Sequence, residues 1–188
     1  MQDPMLYKPH PSLFPATLLG GLVGTVILTA LIRLLAALEV TVVDLPQLVG
    51  AVFSSDPSPV SLVGHTVFLA LGVFVLPLGL ALLWPVTPGD RFTFGGAVVK
   101  GALWGLVLFL LAGLLLPLLG ALSQQAGGGT GQPGPFGVAL GWRGPVQLLA
   151  GTQVYALASA LVAQMPRGLQ PLETLGWGWW SHGSGESP

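Results

Sequence analysis

The chain contains no cysteine and no asparagine. Without thiols it can form no disulfide, iron–sulfur cluster, thiolate zinc site or covalently attached haem of its own. Without asparagine it offers no N-glycosylation acceptor. Charge is almost as scarce: six Lys and Arg and seven Asp and Glu among 188 residues, 7% of the chain, with a net charge of −1. A soluble domain carries about 25% charged residues. So few charges cannot clothe a water-facing globule of this size, so lipid replaces water around most of it. This excludes a soluble enzyme and a disordered tail protein. The near-neutral balance leaves no electrostatic footprint for nucleic acid.

What is present in quantity is apolar: 52% hydrophobic residues and 28 glycines, with a mean hydropathy of +0.79. Asp, Glu, Lys and Arg are missing from residues 9–32, 57–89, 101–142 and 144–166. A helix crossing about 30 Å of hydrocarbon needs about 20 residues. The spacing therefore predicts crossings over about 16–38, 60–84, 96–119 and 145–165. The third charge-free stretch is too long for one crossing and is divided by Gln124, Gln125 and the glycine-rich run from Gly127 to Gly134, which reads as a loop. A β-barrel would need alternating polar and apolar residues, and Leu106 to Ala112 is continuously apolar. The expected fold class is an all-α membrane protein, a four-transmembrane-helix bundle with short interfacial helices.

The pieces between crossings are small. Asp44 to Phe53 reads as a short surface helix capped by Asp44, with Pro46 tolerated in its first turn. A second short apolar piece, Pro135 to Trp142, either lies flat or dips into the protein. Residues 1–15 form an N-terminal interfacial segment, and 166–188 a tail whose Trp177, Trp179 and Trp180 belong at headgroup level. Lys8, Arg91 and Arg167, with Lys100 close inside, fall on one side, and Arg143, with Arg33 close inside, on the other. That balance predicts an integral protein of the cytoplasmic (inner) membrane with both termini cytoplasmic. The first helix lacks a strongly basic start and does not read as a cleaved signal peptide.

Small residues recur four apart at Gly20 and Gly24, Gly101 and Gly105, and Ala156 and Ala160. This spacing lets helix backbones approach closely. It serves either packing within the bundle or docking onto other membrane subunits. Ionisable groups inside a membrane carry more information, because an Arg at mid-bilayer costs about 2.5–3.5 kcal/mol. Arg33 is six residues from Glu39, beyond the helical pairing distance of three or four, so its partner belongs to another helix. The topology brings Arg33, Glu39, Asp44, His65, Arg143 and Gln147 to one depth. This polar cluster is either a small outward-opening site or a structural tie between helix ends. Lys100 reads as a snorkelling residue, its stem along lipid and its amine at the headgroups. Pro77 and Pro117 should kink their helices.

His65 is the one histidine in a predicted crossing. A haem ligated by two histidines would need a second ligand from a neighbouring chain. The ordinary reading is a hydrogen bond to a carboxylate or carbonyl, with Asp44 or Asp56 in reach. No intrinsic cofactor or metal site is expected. Nucleophile-elbow, His-Glu-x-x-His and Walker-type runs are absent, so the sequence argues against an enzyme without excluding one.

The runs Gly20-Gly21-Leu22-Val23-Gly24-Thr25, Asp44-Leu45-Pro46-Gln47-Leu48-Val49-Gly50 and Gly64-His65, with Gly101-Ala102-Leu103-Trp104-Gly105 and Gly134-Pro135-Phe136-Gly137, resemble an uncharacterised family of small prokaryotic four-helix integral membrane proteins. The resemblance covers roughly residues 16–165. It implies architecture and supplies no catalytic residues. The expected function is a non-catalytic accessory or structural subunit of a larger membrane complex, with a respiratory or electron-transfer assembly as host. Its partners would be the lipid bilayer and other membrane subunits. The alternative is a small oligomeric transporter or channel using the polar cluster.

Overall fold

The computed structural model describes residues 13–40, 43–54, 56–88, 93–126 and 132–165. The N-terminal segment up to 12, most of the glycine-rich loop and the Trp-rich tail lie outside the described residues. The elements are α1 (Leu13–Ala37), α2 (Leu45–Gly50), α3 (Pro57–Ala70), a π-helical turn (Leu71–Val75), α4 (Leu76–Leu83), α5 (Phe94–Gln125), a 3₁₀ turn (Pro135–Leu140) and α6 (Arg143–Gln164). Among the described residues there is no strand. Helix α3, the π turn and α4 run on as one rod, so four helices are long and apolar enough to span a membrane. The chain is an all-α, four-crossing membrane bundle. The crossings alternate in direction, which puts α2 and the 3₁₀ turn at one end of the bundle.

The third crossing departs from its expected length. It begins at Phe94 and runs on through Gln124 to Gln125. At about 1.5 Å per residue, its 32 residues exceed the hydrocarbon thickness. The two glutamines therefore extend a helix that has already left the apolar layer, and polarity alone does not end a helix there. Pro117 sits inside this continuous helix.

The threonine hydroxyls of α1 and the starts of α2 and α5 are satisfied locally, as a lipid environment favours. Thr25 and Thr29 each donate to the carbonyl four residues back, Gly21 and Thr25. The Asp44 carboxylate accepts from the Gln47 amide at 3.0 Å and caps α2, with Pro46 in the first turn as its sequence predicts. Thr93 caps α5 by accepting from Gly96. Helix α1 closes with Val40 N–H on the Leu35 carbonyl and Glu39 N–H on Ala36. This is a Schellman ending, and it places Glu39 at φ 57°, where glycine is usual.

Packing is organised around α6, which lies between α1 and α5. A Cβ on Gly20 would collide with the Ser159 carbonyl, and one on Gly24 with the Ser159 hydroxyl. On the other side Gly101 faces Ala156 and Ala160, both fully buried. All three small-residue motifs are thus consumed inside the bundle, and their docking reading is not what the packing uses them for. The core beside this seam is Leu80, Trp84, Trp104, Leu108 and Tyr155. At the α2 end a second cluster joins Val43, Leu48, Leu116 and Leu148, with Phe136 packed against it. The 3₁₀ turn drives the Phe136 ring onto α5, where Gly113 leaves room for it and Phe109 stacks 5.0 Å away. Phe136 and Gly137 therefore pin the turn onto the bundle, while Val138 and Leu140 stay exposed on its outer side.

Candidate functional site

Arg33 lies one turn before the end of α1, and His65 two turns into α3. At about 1.5 Å per residue, Arg33 lies about 6 Å from the end of its helix and His65 about 12 Å into its own. The Arg33 Nη2 donates to His65 Nε2 at 2.9 Å, and His65 Nδ1 donates to the Ser61 carbonyl at 2.7 Å. The spacing argument required Arg33 to find its partner on another helix, and that partner is His65. The acceptor for the ring's other nitrogen is the carbonyl one turn back on α3. It comes from neither Asp44 nor Asp56, because a helical histidine reaches its own i−4 carbonyl without any loop contribution. Both ring nitrogens are engaged, so a haem or metal on Nε2 would have to displace Arg33. Arg33 is exposed on the flank of the bundle and His65 half-buried.

The other residues of the expected polar cluster are held in separate local contacts. Gln147 on α6 brackets the backbone of Val43: its Oε1 accepts from Val43 N–H at 3.2 Å and its Nε2 donates to the Val43 carbonyl at 3.0 Å. This paired contact fastens the strap between the first two crossings onto α6. Asp44 serves as the α2 cap. Glu39 is exposed at the Schellman position. Arg143 is exposed, its guanidinium 5.9 Å from the Trp142 ring, within cation–π range. Among the described residues no three of His, Cys, Asp and Glu come together as metal ligands would.

Lys100 overturns its snorkelling assignment. It is 1% exposed, and its ammonium donates to the carbonyls of Trp84 and Thr87 at 3.0 and 2.6 Å and to Thr87 Oγ1 at 3.2 Å. The end of α4 leaves carbonyls without helical partners and carries the negative pole of the helix dipole. A buried ammonium with three donors answers both needs, and the Trp84 ring lies 5.5 Å from it.

Sequence reasoning missed the polar tie at the centre of the bundle. In the π turn the Leu76 N–H donates to the Leu71 carbonyl, five residues back. By the same register the Gly72 carbonyl would take its proton from residue 77, which is proline and has none. Tyr155 on α6 fills the vacancy, its hydroxyl donating to the Gly72 carbonyl at 2.7 Å in a buried setting. The available signal was a glycine five residues ahead of a proline, with a tyrosine in another crossing. These contacts and the fold define the class, a four-crossing α-helical membrane protein. No protein family, curated protein or solved structure matches the chain.

Proposed function

We propose that this is a non-catalytic integral membrane protein that works as an accessory or structural subunit of a larger membrane assembly. One observation supports the reading: Arg33, bonded to His65, is exposed on the flank of the bundle about one turn inside the end of an apolar helix. A guanidinium has five N–H donors, and among the described residues its protein partner is His65. Lipid tails offer it no acceptors. A partner helix bringing a carboxylate or carbonyl to this flank would lower the cost of an Arg held there. The small-residue seams lend no support, since they close the bundle on itself. On the Lys and Arg balance, we place both termini on the cytoplasmic side.

Purification from the native membrane in mild detergent tests this. We expect the chain to co-purify with at least one other membrane subunit. Arg33→Leu, which is cheaper in lipid, should lose that partner while the chain stays folded. A lone monomer from the native membrane, or full retention of the partner by Arg33→Leu, would remove the proposed role. Flux through proteoliposomes that disappears with Arg33→Leu would favour the transporter alternative instead.

A further inference from the structure

Between the second crossing and α5 lies a chamber of about 370 Å³, inside the range of about 300–1,000 Å³ for ligand pockets. Leu108, Leu116 and Tyr155 form its buried floor, and Leu45 and Val49 of α2 roof one end. Leu71 and Val75 on one side and Leu111 and Leu115 on the other rim an opening to the outside of the bundle, and they are 39–53% exposed. The hydroxyls on the walls are already spent: Thr25 donates to Gly21, Thr152 to Leu149 and Tyr155 to Gly72. What the chamber presents is hydrocarbon.

We propose that this chamber binds one acyl chain of a bilayer phospholipid, entering sideways through the opening. The inference stands apart from the subunit reading and needs no partner protein. Depth is its first support. The lining on α5 runs from Leu108 to Leu119, about 16 Å at the helical rise, which is about half the 30 Å hydrocarbon core. Its roofed end lies under α2, where the chain returns to the interface. An acyl chain whose headgroup rests beside α2 therefore reaches the floor near the bilayer midplane. Chemistry is the second support: the lining is hydrocarbon, and its hydroxyls are spent on backbone carbonyls, so the chamber matches an acyl chain rather than a headgroup. Water is disfavoured, because a buried water needs two to four polar partners. Vacancy is disfavoured too, since every lining side chain would lose dispersion contacts.

The full-length chain, washed extensively in mild detergent and weighed by native mass spectrometry, should retain one phospholipid per chain. Ala112→Trp, which fills the chamber from its α5 wall, should lower that occupancy at least tenfold. Leu114→Trp, on the exposed face of the same helix, should leave it unchanged. In vesicles of phosphatidylcholine bearing a diazirine on the acyl chain, photolysis of the unaltered protein should label the floor residues Leu108 and Leu116. This second measurement decides the matter even if Ala112→Trp fails to fold. A retained mass matching an isoprenoid lipid, a co-purifying peptide in the chamber's place, equal retention by Ala112→Trp, or labelling confined to outward residues such as Leu114 would each overturn the proposal.

Discussion

Along α6, glycine, alanine and serine meet glycine, and backbones come close enough that an added Cβ would strike a carbonyl. Across the bundle, between the second crossing and α5, leucine and valine face leucine, and the helices stand apart around a chamber. Both regions are drawn from nearly the same apolar alphabet. In water, both would be forced shut by the hydrophobic effect. In lipid that drive is absent, and association rests on close packing and hydrogen bonds between helices. The difference teaches that side-chain size at the contact decides which faces of this bundle close. The second crossing is seated on α1 by the close approach of Gly21 to Pro77 and Gly72, and on α6 by the Tyr155–Gly72 hydrogen bond.

The sharpest way to break this contrast is to make the tight seam resemble the open one. Gly20→Leu puts a branched side chain against the Ser159 carbonyl. It should destabilise the bundle by about 3 kcal/mol, the upper part of the overpacking range, read as a lower unfolding midpoint in mixed micelles by tryptophan fluorescence. An unmoved midpoint would mean that the seam does not carry the bundle. Tyr155→Phe tests the polar tie and should cost about 1 kcal/mol, the scale of hydrogen bonds between membrane helices. The loss should shrink when Pro77→Ala is made as well, because an amide at position 77 gives the Gly72 carbonyl a backbone partner. Equal losses in both backgrounds would assign the effect to the phenol's packing. At the small end, Leu114→Ala on the lipid-facing side of α5, 66% exposed, should shift stability by less than about 0.5 kcal/mol. A larger loss would show that the open face is held by contacts the seam argument neglects.

The four crossings were legible because formal charges mark their ends. Expected limits of 16–38, 60–84 and 145–165 fall within a few residues of Phe14–Ala37, Pro59–Leu83 and Arg143–Gln164. The α2 cap was legible because Asp44 and Pro46 state it in adjacent positions. Lys100 was not. From sequence, a lysine near the start of an apolar helix looks the same whether it reaches headgroups or turns inward. Its acceptors come from 13 to 16 residues earlier in the chain, and only the fold brings them there. For the polar residues, topology gave a common end of the bundle but not their partners. Spacing excluded Glu39 for Arg33 without selecting His65, and Gln147 took a backbone segment where a side-chain cluster was expected.

The wide turn at Leu71–Val75 has a consequence for the second crossing as a whole. Closing a ring over five residues instead of four accommodates one extra residue, and a residue in an α-helix accounts for about 100° of rotation. Everything from Leu76 onward is thus turned out of phase with Pro57–Ala70, and a single helical wheel drawn through both halves mislabels one of them. Leu80 and Trp84 reach the core because of that phase change. Winding the same residues as a regular α-helix would swing both side chains toward the lipid, whereas deleting one residue from the turn would regularise the winding and leave them facing the core. The irregular turn thus absorbs an extra residue and keeps the second half of the rod in aim.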